Sequence, residues 1–153
     1  MLSITEPTPQ DAAELALSLR DGDKAELEAL NYTDHEAAIL ESVKVSARCW
    51  AVRYGGKILF IAGVAPVAPG SPVGAVWLLG SVLMGRHKKL LTRLVKGYLP
   101  KMHEVCPVLL NYVYAKNIVS VRWLKGMGFN VNAPTPYGPK GALFHYFEKE
   151  LNV

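Results

Sequence analysis

The stretch from Leu110 to Phe129 constrains this chain more than any other, because it writes strand, turn, helix and stop in one piece. An apolar, β-rich run from Val108 to Tyr114 ends at Asn117, a residue type whose side chain accepts hydrogen bonds from the first free amides of a helix. Gly126 or Gly128 then supplies the left-handed residue that ends the helix, and Phe129 leads into a further strand.

Upstream, Thr8-Pro9-Gln10-Asp11 is a helix start, with Thr8 as cap, proline at the first helical position and an acid in the first turn. This helix is expected to run to about Leu19, where Arg20-Asp21-Gly22-Asp23 breaks it. Asp23 with Glu26 starts a short second helix through Leu30, and Thr33 with Glu36 has capping-box spacing ahead of a third toward Val45. Cys49 to Tyr54, the turn Gly55-Gly56 and Lys57 to Ala65 read as a β-hairpin. Gly74 to Val82 is apolar on both faces, as a strand inside a covered sheet must be. From Leu90 onward, Leu91, Leu94, Val95, Tyr98, Leu99 and Met102 make one stripe of a helix whose other side is basic; Pro100 predicts a kink or a distorted last turn. Ala133 to Pro139 reads as a loop too rich in proline for a strand, and Leu143 to Glu148 as the closing strand. Trp50, Trp77 and Trp123 are expected in the core. The order of elements is that of a mixed α/β sheet with helices on both faces.

The chain has 153 residues, half of them hydrophobic, enough for one sizeable core and too few for two ordinary domains, so residues 1–153 read as a single domain. No apolar run approaches the roughly 20 residues of a membrane span, and Glu6 and Asp11 stand where a secretory signal would be basic and then apolar. A protein of the cytoplasm, free of the membrane, is expected. Cys49 and Cys106 lie among apolar residues at no metal-ligand spacing and read as free buried thiols. His35, His87, His103 and His145 share no ligand spacing either, and no metal site is expected. The net charge of +4 hides an asymmetry: residues 1–50 hold ten acids and four bases (−6), residues 51–153 three acids and thirteen bases (+10). The densest basic run is Arg86, Lys88, Lys89, Arg93, Lys96 and Lys101, which suits either a solvated helix face or phosphate binding. No interleaved aromatics or nucleic-acid motif accompany it, and no nucleic-acid partner is expected.

Asn117, with small Ser120 three residues later and Gly128-Phe129 eleven and twelve later, resembles the acyl-CoA-binding segment of the Gcn5-related N-acetyltransferases, the GNAT superfamily. Ser3 to Leu30 resembles that superfamily's opening strand and paired helices, Cys49 to Ala65 its hairpin, Gly74 to Met102 its central strand and long helix, and Ala142 to Leu151 its last strand. The resemblance implies a mostly antiparallel mixed sheet with a splayed, parallel central pair, so the strands holding Val76 and Val113 should run parallel and part at their carboxyl ends. It implies acetyl-CoA as cosubstrate, bound by the end of the central strand (Leu79, Ser81, Val82), by the loop Gly85, Arg86, His87, Lys88 and Lys89, and by Asn117. In that loop the superfamily pattern is Q/R-x-x-G-x-G/A, whose backbone amides hold the pyrophosphate. Gly85 matches its first glycine; Val82 and His87 depart from it.

The superfamily commonly uses a carboxylate or a water on the central strand as base and a tyrosine on the following helix as acid. Gly74 to Val82 contains no carboxylate, and the tyrosine position, seven residues after the asparagine, falls on Leu124. Tyr114 is the candidate acid. Trp123-Leu124-Lys125, the basic helix Arg86 to Lys101 and the strand Leu110-Asn111-Tyr112-Val113 are similar to the GNAT-like proteins of short-tailed bacteriophages, such as internal virion protein A and host-directed acetyltransferase-like proteins. Two functions stay open on these residues. One is N-acetyl transfer to an amine, on a host protein in the host cytoplasm. The other is a non-catalytic protein of the same fold that binds within a virion or to a host factor.

Overall fold

The computed structural model describes residues 1–151. In chain order its elements are β1 (Leu2–Thr5), α1 (Pro9–Ser18), α2 (Asp21–Ala29), α3 (His35–Val45), β2 (Arg48–Tyr54), β3 (Lys57–Pro66) and β4 (Val73–Gly80). A 3-10 turn (Val82–Arg86) then leads into α4 (Lys88–Val105), β5 (Val108–Tyr114), α5 (Ile118–Gly126), β6 (Asn130–Val131), β7 (Thr135–Tyr137) and β8 (Ala142–Glu150). The strands form one sheet in the order β1-β2-β3-β4-β5-β8-β6, with β7 also paired to β8. All pairings are antiparallel except β4 with β5, which the α4 crossover makes parallel.

Two cores sandwich the sheet. On one face α4 and α5 bury Leu91, Val95, Leu99, Met102 and Val121 against Val76, Leu109, Val113 and Phe147. On the other, α1, α2 and α3 bury Leu15, Leu19, Leu27 and Ile39 against Ala51, Ile58, Ile61 and Leu79. The second cluster contains no residue of β5 or β8, so the buried apolar packing of this face stops at β4. The apolar stripe of α4 is what holds it down, and its basic side is left to solvent.

Local chemistry sets most boundaries. Thr8 and Asp11 form a complete capping box, with Asp11 N–H donating to Thr8 Oγ1 at 3.2 Å and Thr8 N–H to Asp11 Oδ2 at 2.8 Å. The third helix is capped differently from expectation: Asp34, one residue after Thr33, accepts from Ala37 N–H at 3.0 Å. The break between the first two helices is also shorter, since α2 already starts at Asp21. Pro100 does not end α4, which runs on to Val105. A short strand forms at Thr135–Tyr137 despite its proline, because β7 pairs only with β8 and Pro136 needs to donate nothing on an outer edge. Gly128, at φ +92°, is the left-handed residue after α5. The tryptophans are half-buried rather than central: Trp77 Nε1 donates to Ser46 Oγ at 2.7 Å and Trp123 Nε1 to Thr92 Oγ1 at 3.4 Å. Polar ring nitrogens seek such partners at the margin of a core. Both cysteines are free; Cys106 is buried and Cys49 only partly so. Among the described residues, no helix is long and apolar enough to cross a membrane.

Candidate active site

The parallel pair comes apart early. β4 and β5 are in register only over Val73–Ala75 and Val108–Leu110; from Val76 and Asn111 onward the two strands separate toward their carboxyl ends. Val108 N–H donates to Pro72 O across the pair. Strand alternation therefore turns the peptide groups of Val76, Leu78 and Gly80, and of Tyr112 and Tyr114, into the opening gap. Each such group, once deprived of its partner strand, needs another.

Side chains take that place at three levels. Deepest, Asn111 spans the gap: its Nδ2 donates to Val76 O at 2.8 Å, and its Oδ1 accepts from Tyr112 N–H at 2.7 Å. At the outer end, Gly80 N–H donates to Asp23 Oδ2 at 2.8 Å and Gly80 O accepts from Arg20 N–H at 3.0 Å. Across from it, Tyr114 N–H donates to Glu26 Oε1 at 2.8 Å. Leu78, between Val76 and Gly80, faces the gap with N–H and C=O and has no strand opposite it among the described residues.

The start of α2 thus closes the mouth of the gap with two carboxylates. Asp23, 2% exposed, is gripped by Arg20 through Nη2 to Oδ1 at 2.7 Å and Nε to Oδ2 at 3.0 Å, and Arg20 reaches on to Ser120 Oγ at 3.3 Å. Glu26 stands one helical turn further, half-buried, with the Asn117 side chain on its side of the cleft. Burial pushes the Glu26 carboxyl up to about 7; the Tyr114 N–H and the Asn117 amide pull the other way, and the nearby Asp23 carboxylate adds to the rise. A carboxyl that titrates near neutrality, partly reachable from solvent at a cleft between strand ends, has the properties of a general base. Gly22 makes room for this arrangement, since a Cβ there would lie 2.5 Å from Asn117 Oδ1.

The residues singled out from sequence fall into three groups. Gly85, Arg86, His87, Lys88 and Lys89 come together with Leu90 around an open hollow of about 440 Å³ at the start of α4. No side chain caps that helix start, so its first N–H groups and its positive dipole end face the hollow beside three cationic side chains. The His87 ring packs against Tyr54 with centroids 4.6 Å apart, and Val82 is exposed on the preceding turn. Leu79 and Ser81 are committed to the fold instead. Leu79 is buried and paired with Ile61, so the adjacent Leu78 is the one that faces the gap; Ser81 is fully buried, donating from Oγ to Ile58 O at 2.8 Å and from N–H to Leu59 O at 2.9 Å.

Asn117 and Tyr114 make up the third group, at the end of β5. Asn117 stands at the head of α5, yet its side chain makes no cap bond and lies against Gly22 of α2 instead. The Tyr114 ring lies against Phe144 at 5.3 Å, and it is the backbone N–H of this residue that meets Glu26. Glu26, Asp23, Asn111 and Leu78 were not anticipated. The available signal was the placement of Asp23 on the apolar stripe of α2 with Leu27, where a carboxylate has to find buried partners.

Comparison by sequence finds no matching family profile and no matching curated protein. Comparison by structure finds many similar folds over essentially the whole chain. Ard1 from Thermoplasma volcanium superposes with a TM-score of 0.73 at 15% identity, covering 99% of both chains. yncA from Salmonella typhimurium, solved with its cofactor acetyl-CoA, gives 0.73 at 15% identity, covering 100% of this chain and 95% of that one. The aminoglycoside acetyltransferase AAC(6')-Ib, in complex with coenzyme A, gives 0.69 at 18% identity, covering 98% and 95%. The fold is that of the GNAT acetyltransferases, a mixed sheet with one splayed parallel pair, as the sequence resemblance implied.

Proposed function

We propose that the chain is an N-acetyltransferase that moves an acetyl group from acetyl-CoA to an amine, with Glu26 as the base. The observation that carries this reading is the Glu26 carboxyl, raised to about 7 and held at the mouth of the β4/β5 gap. The cosubstrate supplies the activated thioester carbonyl. The residues present fit such a molecule at two places: the uncapped α4 amides with Arg86, Lys88 and Lys89 suit its pyrophosphate, and the free peptide groups of Leu78 suit the amides of its extended arm. An incoming ammonium meets Glu26, which takes its proton and leaves a nucleophilic amine. Asn111 holds the strands apart, and Arg20 and Asp23 hold α2 across their ends, so positioning contributes beside proton transfer.

Calorimetric titration with acetyl-CoA tests this directly: micromolar binding is expected, and none at millimolar concentration would overturn it. Reversing charge at Arg86 and Lys88 together should then weaken binding at least tenfold and reduce its dependence on salt. Unchanged affinity in that double variant would place the pyrophosphate elsewhere.

A second reading is a binding protein of the same fold without catalysis. In its favour, Asn111, Asp23 and Glu26 already occupy strand-edge groups in the gap, and Leu124 stands where the superfamily resemblance calls for tyrosine. The finer assignment, a phage protein directed at a host protein in the host cytoplasm, is supported by the sequence likeness of Trp123-Leu124-Lys125 and the basic helix alone.

A further inference from the structure

Five of the seven tyrosines gather beside Glu26, and acetyl transfer as proposed does not require them. On the side of the sheet that carries α1, α2 and α3, the buried apolar cluster ends at Trp77 and Leu79, and beyond it α2 meets β5 through Glu26 and the Tyr114 N–H. Their side chains on that face, Tyr112 and Tyr114 from β5 and Phe144 and Tyr146 from β8, form a floor to which β7 adds Tyr137. Tyr137 stacks on Tyr112 with centroids 3.7 Å apart and an interplanar angle of 10°. Tyr146 lies 5.4 Å from Tyr112, Phe144 5.5 Å from Tyr137, and Tyr114 5.3 Å from Phe144, so the rings make one continuous surface.

This surface is open to solvent where it counts. Phe144 is buried beneath it, Tyr112, Tyr114 and Tyr146 are half-buried, Tyr137 is 37% exposed, and Tyr32 at the rim is 54% exposed. Burial raises the Tyr137 phenol above its ordinary value, with further contributions from Tyr112 and Tyr32. Two carboxylates lie beside these rings: the Tyr146 hydroxyl donates to Glu148 Oε2 at 3.0 Å, and Glu26 accepts from the Tyr114 N–H where β5 ends. Aromatic faces attract an ammonium, their flat surfaces cover the methylene stem of a lysine, and carboxylates at both ends select positive charge. A small amine would be served by Glu26 alone; a run of half-buried rings extending away from it to the exposed Tyr137 suits a longer chain.

We infer that the tyrosine face of β5, β7 and β8 is the acceptor-docking surface, and that its occupant is a lysine-bearing peptide segment whose ammonium is led to Glu26. This deepens the transferase reading and rests on it for the chemistry, while docking itself is measurable without acetyl-CoA. The experiment is calorimetric titration of the whole protein with a short lysine-rich peptide and with the same peptide bearing glutamine at each lysine, beside a separate titration with acetyl-CoA. Binding of the lysine peptide only, weakened about tenfold or more by Tyr137→Ala and by Tyr32→Ala and retained in Tyr137→Phe, is the expected result. Both alanine variants lie at exposed positions, and unfolding curves show whether each is folded. Equal binding of the two peptides, no binding of either, or unchanged affinity in both folded alanine variants would overturn the assignment. Lysine-peptide binding without acetyl-CoA binding would overturn the transferase reading and leave the docking surface standing.

Discussion

Glu26→Gln should lower acetyl transfer by about 100- to 1,000-fold, the loss that accompanies removal of a positioned base. Glutamine keeps an oxygen for Tyr114 N–H, so the geometry of the β5 end is preserved while the proton acceptor is removed. In the native protein kcat/KM should rise tenfold per pH unit below about 7 and level off above it, following ionisation of Glu26. The same group leaves a signature in stability. Its carboxyl is raised from 4.5 to about 7 on folding, so its contribution is fully present below pH 4.5 and is lost as pH rises through 7. From this group alone the loss is about 3 kcal/mol, at 1.36 kcal/mol per unit. Urea unfolding at pH 5 and pH 8 should show that slope in the native chain and a flatter one in Glu26→Gln. Undiminished activity in the variant would remove Glu26 from the chemistry, and an unchanged pH slope would show that its carboxyl is not raised.

Asp23→Ala should cost about 3 kcal/mol in stability, because a nearly inaccessible carboxylate that accepts three hydrogen bonds, two from Arg20 and one from Gly80, disappears at once. Gly80 N–H would be left without an acceptor at the end of β4, and the Arg20 guanidinium without its counter-charge. Asp23→Asn keeps an acceptor for Gly80 and should fall between the variant and the native protein. Asp23 also contributes to the raised position of Glu26, so in Asp23→Asn the rise in kcat/KM should move to lower pH. Chemical denaturation measures the first effect and a pH–rate profile the second; a cost below about 1 kcal/mol for the alanine variant would mean that the α1–α2 junction is held by its apolar contacts alone.

The arrangement ties fold and chemistry to one irregularity. A sheet whose central pair stayed in register to the end would satisfy its own peptide groups and offer a ligand nothing. Parting after Ala75 and Leu110 exposes strand edges, and the chain covers them with Asn111, Asp23 and Glu26 rather than with a strand. Leu78 is left with its peptide groups facing the gap, and the Glu26 carboxyl is raised by the burial that lets it serve the Tyr114 amide.

Much of this architecture was legible in the residues themselves. Thr8 and Asp11 declare the first helix, Gly55-Gly56 the hairpin, the stripe from Leu91 to Met102 the long helix, and Gly128 the end of α5, because caps, turns and helical periodicity are short-range physics. The parallel pairing of β4 and β5 also follows from an intervening helix. The site was not legible in the same way. Asp23 and Glu26 read locally as the acids of a helix start, and only the folded chain carries Glu26 across a separation of 88 residues to Tyr114 N–H. Asn117 reads locally as a cap, and the tertiary structure sets its side chain against Gly22 of α2 instead. Which peptide groups lack a partner depends on where two distant strands part, and how far a carboxyl is raised depends on what is packed around it. Both are properties of the assembled sheet, so the sequence by itself determined the elements and their order, and tertiary structure decided the chemistry at their ends.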